Sequence, residues 1–224
     1  MWSRFQAHWG LKLRLTILLN LGFWTVYSVL GRIALFPRRT PPLLWPDLVI
    51  PFQPEPWAWI YLSQFLVVGP LAWLIPTRSG LLRFGVGFAA LSGISFLIFL
   101  FFPVASPRIL SAPPFGAMAW IVGYDGILNA FPSLHAGFLV FEGALAWRLF
   151  GRRLSVPLRC VGVAWGLAVL YATIATRQHY AVDLLAGGVV GAVADWWAWG
   201  SSPKARAAAT MLQQSDVASQ AGSR

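Results

Sequence analysis

Residues 81–102 read LLRFGVGFAALSGISFLIFLFF, with a single charge at Arg83 and no proline. As a helix rising 1.5 Å per residue, the block extends about 33 Å, enough to cross a hydrocarbon core of about 30 Å. Five further apolar blocks approach or reach this length, at 11–36, 57–75, 131–150, 157–176 and 180–199. The run 115–124 (FGAMAWIVGY) is too short to span and reads as an interfacial or re-entrant piece. Composition agrees. Of 224 residues 58% are hydrophobic and 11% charged, with a mean hydropathy of +0.65. A soluble domain carries about twice that charge fraction, so soluble enzymes and disordered proteins are excluded. The expected fold is all-α: an integral membrane bundle of about six transmembrane helices. A membrane-embedded catalytic domain covers 1–200, and a polar, flexible cytoplasmic tail covers 201–224.

Seventeen Lys and Arg against seven Asp and Glu give a net charge of +10. The cations are scattered between apolar blocks and form no basic face, which points to anionic lipid and not to nucleic acid. With the N-terminus placed in the cytoplasm, twelve cations fall on that side and five on the other, so both termini are expected there. The first block follows Arg4, Lys12 and Arg14 but is too long for a cleaved leader and reads as a retained helix. The outer loops 37–56 and 103–130 are long and hold seven and four prolines. Long ordered loops tend to carry function, so the site is expected on the periplasmic, extracytoplasmic or lumenal face. Cys160 is the only cysteine, which rules out an intramolecular disulfide.

Two of three histidines stand at span ends on that face. The first lies in Phe131-Pro132-Ser133-Leu134-His135. Pro132 suits the first turn of a helix, which would leave the N–H groups of Ser133, Leu134 and His135 free at the positive end of the dipole, a geometry that binds phosphate. Ser133 adds a hydroxyl. The second lies in Arg177-Gln178-His179-Tyr180-Ala181-Val182-Asp183. His179 and Asp183 are four apart and share a helix face. A carboxylate bonded to Nδ1–H would free Nε2 to act as nucleophile or base, with Arg177 as a neighbouring cation. In-line displacement at phosphorus needs a nucleophile, an acid for the leaving oxygen and cations for the equatorial oxygens. Two histidines supply the first two without a metal, and neither clustered carboxylates nor a His-x₃-His pair is present to bind one. No cofactor is expected.

Pro-Ser-Leu-His, followed 44 residues after His135 by His179-Tyr180-x-x-Asp183, resembles the type-2 phosphatidic acid phosphatase superfamily. The resemblance implies that His179 attacks phosphorus, Asp183 orients it and His135 protonates the leaving group. It also implies a membrane lipid with a phosphate or pyrophosphate headgroup as substrate. The superfamily's Lys-x₆-Arg-Pro motif is absent. The nearest segment is Pro103-x₃-Pro107-Arg108, which leaves Arg108 to meet the phosphate. Ala172 and Thr173 stand where Ser-Arg would be, and Arg177 precedes His179 by two residues instead of six. The compact PSLH and QHYxxD style is more similar to the inositol phosphorylceramide synthase branch and its bacterial relatives, in which an alcohol replaces water as acceptor.

Bland readings compete at each position. Arg108 and Arg177 could be interfacial anchors. Asp125 before Gly126 reads as a turn residue, Glu142 as a buried structural acid, and Asp195 as a span-end residue. A non-enzymatic lipid transporter or sensor is the alternative from another class. A transporter would need polar residues spread through several spans, whereas here they gather at one face.

Overall fold

The computed structural model describes residues 2–108, 114–151 and 153–200. The expected tail, 201–224, lies outside the described residues, as do Lys204, Arg206, Arg224 and Arg152 of the charge count. The elements in chain order are α1 (Trp2–Gln6), α2 (Trp9–Leu30), α3 (Trp45–Val49), α4 (Trp57–Ser63), α5 (Phe65–Trp73), α6 (Arg78–Phe101), α7 (Gly116–Tyr124), α8 (Leu134–Phe150), α9 (Val156–Ala175) and α10 (Ala181–Trp199). Among the described residues the fold is all-α. Two isolated bridges, Arg39 to Val104 and Val104 to Asn129, stitch the two long loops to each other.

Four helices, α2, α6, α9 and α10, are long and apolar enough to cross a membrane. The chain is an integral membrane protein. The expected spans at 57–75 and 131–150 coincide with the shorter α4–α5 pair and with the 17-residue α8. The break between α4 and α5 falls at Gln64, whose buried amide donates to the His135 carbonyl at 2.9 Å. The short run at 115–124 forms α7, which buries Ala117, Met118 and Ile121 against Ala58 and Tyr61 of α4. Leu18, Leu66, Val161, Leu185 and Val189 are each more than 60% exposed. So broad an aliphatic surface is stable against hydrocarbon and costly against water.

The centre of the bundle is α10, which packs against α8 and α6, while α2 packs on α6 and α4 on α9. The contact between α8 and α10 is backbone on backbone. A Cβ at Gly187 would lie 2.1 Å from the Ser133 carbonyl oxygen, and one at Gly191 would lie 2.3 Å from that of Gly137. Small residues at these positions let two helices meet without side chains between them. The same approach lets the Ser133 N–H donate to the Asp183 carbonyl at 2.9 Å, joining the first turns of α8 and α10.

The cations separate to opposite ends of this bundle. At one end Arg83 donates to the Ala198 carbonyl at 2.8 Å, Arg148 pairs with Asp195, and Lys12 donates to the Trp73 carbonyl at 2.6 Å. Lys12, counted with the cytoplasmic-side cations, is 2% exposed, because the carbonyls of Arg4, Phe5 and Trp73 replace its water. At the other end lie Arg32, Arg108 and Arg177, with the two histidines.

Replacing Gly187 by Ala must push α8 from α10. Gly188 meets only Val140 at 3.8 Å, so its replacement by Ala is harmless. In a thermal unfolding assay in detergent, Gly187→Ala is expected to lose about 1–3 kcal/mol and Gly188→Ala to match wild type.

Candidate active site

The segment ahead of α8 differs from its expected form in one respect. Pro132 lies outside the helix, and Ser133 is the N-cap, its hydroxyl accepting from Ala136 N–H at 3.4 Å. Ser133 is fully buried and its own N–H is taken by Asp183, so only the N–H groups of Leu134 and His135 remain without an intrahelical acceptor. The residue that caps a helix end stands one position before it, which moves the start by two residues from the expected Pro132.

His179 arrives by another route. Helix α9 ends in a Schellman turn: Gln178 N–H donates to the Thr173 carbonyl at 3.0 Å, and Arg177 N–H to that of Ile174 at 2.9 Å. Arg177 occupies the left-handed position with φ 54°, where glycine is usual. Its guanidinium reaches outward and donates to the carbonyls of Asp47 and Ile50 at 3.2 and 3.0 Å. That anchors the 37–56 loop. The turn sends Gln178 and His179 inward, where both are buried.

The His179 and His135 rings are 5.8 Å apart between centroids. His179 Nδ1 lies 2.8 Å from the Ala130 carbonyl oxygen. A carbonyl only accepts, so Nδ1 carries a hydrogen, and in the neutral ring Nε2 holds the lone pair. The expected bond from Asp183 to Nδ1 is replaced by this one. Asp183 Oδ2 stands 3.7 Å from Nδ1, an ion-pair distance, and accepts the Tyr180 N–H at 2.7 Å. The carboxylate is therefore a helix cap for α10 and a negative charge beside the imidazole. Asp47 adds a second acid by accepting from Ala181 N–H at 2.9 Å, a contact between residues 134 apart that no local pattern signals. The Ala130 carbonyl is in place because Ala130 N–H bonds to Val104, next to the bridge from Val104 to Asn129.

His135 packs under the Tyr61 ring at 4.0 Å, and Phe65 stands against its other side at 5.6 Å. Its Nε2 is buried without a hydrogen-bond partner. The third cluster is centred on Asp125. Oδ1 accepts from Tyr27 OH at 2.7 Å and from Asn129 Nδ2 at 3.1 Å, while Oδ2 pairs with Arg108 Nη2 at 3.0 Å. Arg108 also donates to Gln178 Oε1 at 2.8 Å and to the Asp125 carbonyl at 2.9 Å. Read from the sequence as a turn residue, Asp125 is the hub that ties α2, α7 and Arg108 to the residue beside His179. Its partners come from positions up to 98 residues away, beyond the reach of local spacing. Glu142 is buried two turns further along α8, with its Oε1 unpaired. Among the described residues no group of three or more His, Cys, Asp or Glu side chains is arranged to hold a metal ion.

Both histidine segments lie inside the stretch 51–197, which matches a family profile described as the PAP2 superfamily. The chain belongs to the PAP2 superfamily. Membership points to phosphoryl transfer on lipid phosphates, and the convergence of His135, His179 and Asp183 at one end of the bundle accords with it. The superfamily match runs from the loop before α4 nearly to the end of α10, leaving out α1 to α3. No curated protein and no solved structure matches the chain.

Removing one side of the Asp125–Arg108 pair leaves a buried charge alone. Asp125→Asn is expected to cost about 3–5 kcal/mol of stability. The Asp125→Asn/Arg108→Gln double variant should recover part of that loss, giving a coupling of about 1 kcal/mol or more in a thermal double-mutant cycle.

Proposed function

We propose that this protein transfers phosphoryl groups from a lipid phosphate or pyrophosphate at the outer membrane face, with His179 as nucleophile. The observation that carries this reading is the Nδ1–Ala130 bond, which leaves Nε2 of a buried histidine as its free nitrogen, with a second histidine ring 5.8 Å away. His179 Nε2 attacks phosphorus, and the bond to the lipid oxygen breaks. The leaving oxygen takes the proton from His135 Nε2 in its protonated form. Asp183 is a positioning residue: its charge, 3.7 Å from Nδ1, stabilises the cationic phosphohistidine. In the second half His135 accepts the proton of the incoming water, and phosphate leaves His179. The cycle uses only side chains of this chain and runs without a metal. Both termini then lie in the cytoplasm, with six crossings.

A second reading is favoured by the state of the two arginines. Arg108 is neutralised by Asp125, and Arg177 is engaged with loop carbonyls. A phosphodiester carries a single charge and asks less of this set than a phosphomonoester dianion does. That favours an alcohol acceptor and transfer of a lipid headgroup, as in the inositol phosphorylceramide synthase branch.

The test is release of phosphate by the purified protein from a panel of lipid phosphates and pyrophosphates, with chelator present. Wild type is expected to release phosphate, and His179→Ala to lose about 10³-fold or more. Asp183→Asn should lose less, since its carboxylate does not bond the imidazole. A phosphodiester donor and a lipid alcohol, added together, should yield a new phospholipid if the second reading holds. Equal activity in His179→Ala overturns both.

A further inference from the structure

At the histidine end of the bundle, three arginines are spent on the fold. Arg32 donates to the carbonyls of Ser28 and Tyr124 at 2.9 and 3.1 Å, Arg108 pairs with Asp125, and Arg177 serves the carbonyls of Asp47 and Ile50. Arg39 differs. Among the described residues its guanidinium reaches no acid and no carbonyl; it lies over the Phe102 ring, 4.3 Å from the centroid. A guanidinium stacked on a ring keeps its edge N–H donors free, in the fork that suits phosphate.

That edge is held in place from behind. Arg39 N–H donates to the Pro103 carbonyl at 2.9 Å, and its own carbonyl accepts from Ala105 N–H at 3.3 Å. Beside it opens a cavity of about 860 Å³, within the size range of small-molecule sites. Thr40 contributes a hydroxyl at the rim, and Pro41, Pro42 and Phe102 make apolar walls. The remaining walls are Phe131 and Val182, each from one of the two histidine segments. The loop residues 39–42 precede the stretch matched to the superfamily, so the cavity joins this chain's own loop to the two superfamily segments.

Neither histidine is among the lining residues. Arg39, Val104 and Asn129 stand side by side through two bridges. Segments paired in this way lie about 5 Å apart, which puts the Arg39 backbone about 10 Å from the segment whose Ala130 carbonyl meets His179. An anion on Arg39 is therefore not the one at His179.

We propose that this cavity is a second anion site, taking a singly charged phosphate on the edge of Arg39 with Thr40 as a further donor. One guanidinium balances one charge, which fits a phosphodiester. The apolar walls suit the body of a phospholipid headgroup at the membrane surface, and the same donors would also take a free phosphate ion. The proposal goes beyond the reaction at His179 and does not depend on it.

The test is protection of Arg39 from phenylglyoxal, which modifies free guanidinium groups. The full chain in neutral detergent is treated, and each arginine is read by peptide mass spectrometry. Arg14, also exposed but at the other end of the bundle, is the control. Dihexanoyl phosphatidylglycerol is expected to slow modification of Arg39 by about fivefold or more at saturation while leaving Arg14 within about twofold. Protection by the lipid alone identifies a headgroup site, and equal protection by inorganic phosphate identifies a site for the free ion. Slowing of Arg14 to the same degree, equal protection by dihexanoylglycerol, or no protection by either phosphate compound overturns the proposal. Phe102→Leu keeps an apolar wall and removes the ring, so the concentration for half protection should rise by about threefold or more. An unchanged midpoint overturns the role of the stacked guanidinium. No turnover is needed: activity lost in His179→Ala and protection lost at Arg39 are separate results, and either can fail while the other stands.

Discussion

The first turns of α8 and α10 are joined backbone to backbone, with the Ser133 N–H donating to the Asp183 carbonyl and Gly187 and Gly191 leaving no side chain in the gap. Inside a membrane no hydrophobic force draws two helices together, so such a contact relies on close van der Waals packing and on hydrogen bonds that lipid cannot replace. His135 stands two residues beyond Ser133, and Asp183 is the acceptor residue itself. A shift of α8 by even one ångström would alter the separation of the two imidazoles, and the proposed chemistry tolerates little error in that distance.

Around this contact, four strongly charged groups have partners. Arg108 has Asp125 and Gln178, Arg177 has the carbonyls of the 37–56 loop, and Asp47 and Asp183 accept N–H groups at the start of α10. The physical reason is the cost of an unpaired charge away from water. The consequence for function is that these cations already hold the site together and offer limited positive charge to a ligand. Nε2 of His135, Oε1 of Gln64 and Oδ1 of Asp183 are among the buried polar atoms left without a partner.

The two proline-rich loops act as scaffolding. One is pinned by Arg177 and Asp47, the other by the Val104 bridges and by Asp125, and between them they deliver the Ala130 carbonyl to His179. Proline limits the freedom these segments lose on ordering, which suits loops that hold the His179 ring in place.

Local rules settled much of this protein. The apolar blocks marked the helices because a backbone in lipid must satisfy its own hydrogen bonds. The run at 115–124 was short, and α7 is short. The spacing of His179 and Asp183 suggested one helix face; His179 instead precedes α10, and the two still approach to 3.7 Å. Three features were decided only in three dimensions. The Ala130 carbonyl, 49 residues from His179 in sequence, takes the place expected of Asp183, because the Schellman turn at Arg177 aims Nδ1 at the loop. Asp125 became a hub because Tyr27 and Arg108 approach it from distant segments. Lys12 is buried because α1 and α5 present carbonyls to it. Periodicity fixes which face a residue occupies on its own helix. Which partner stands opposite depends on how separate helices pack, and that is set by close contacts such as Gly187 against Ser133 that no local pattern encodes.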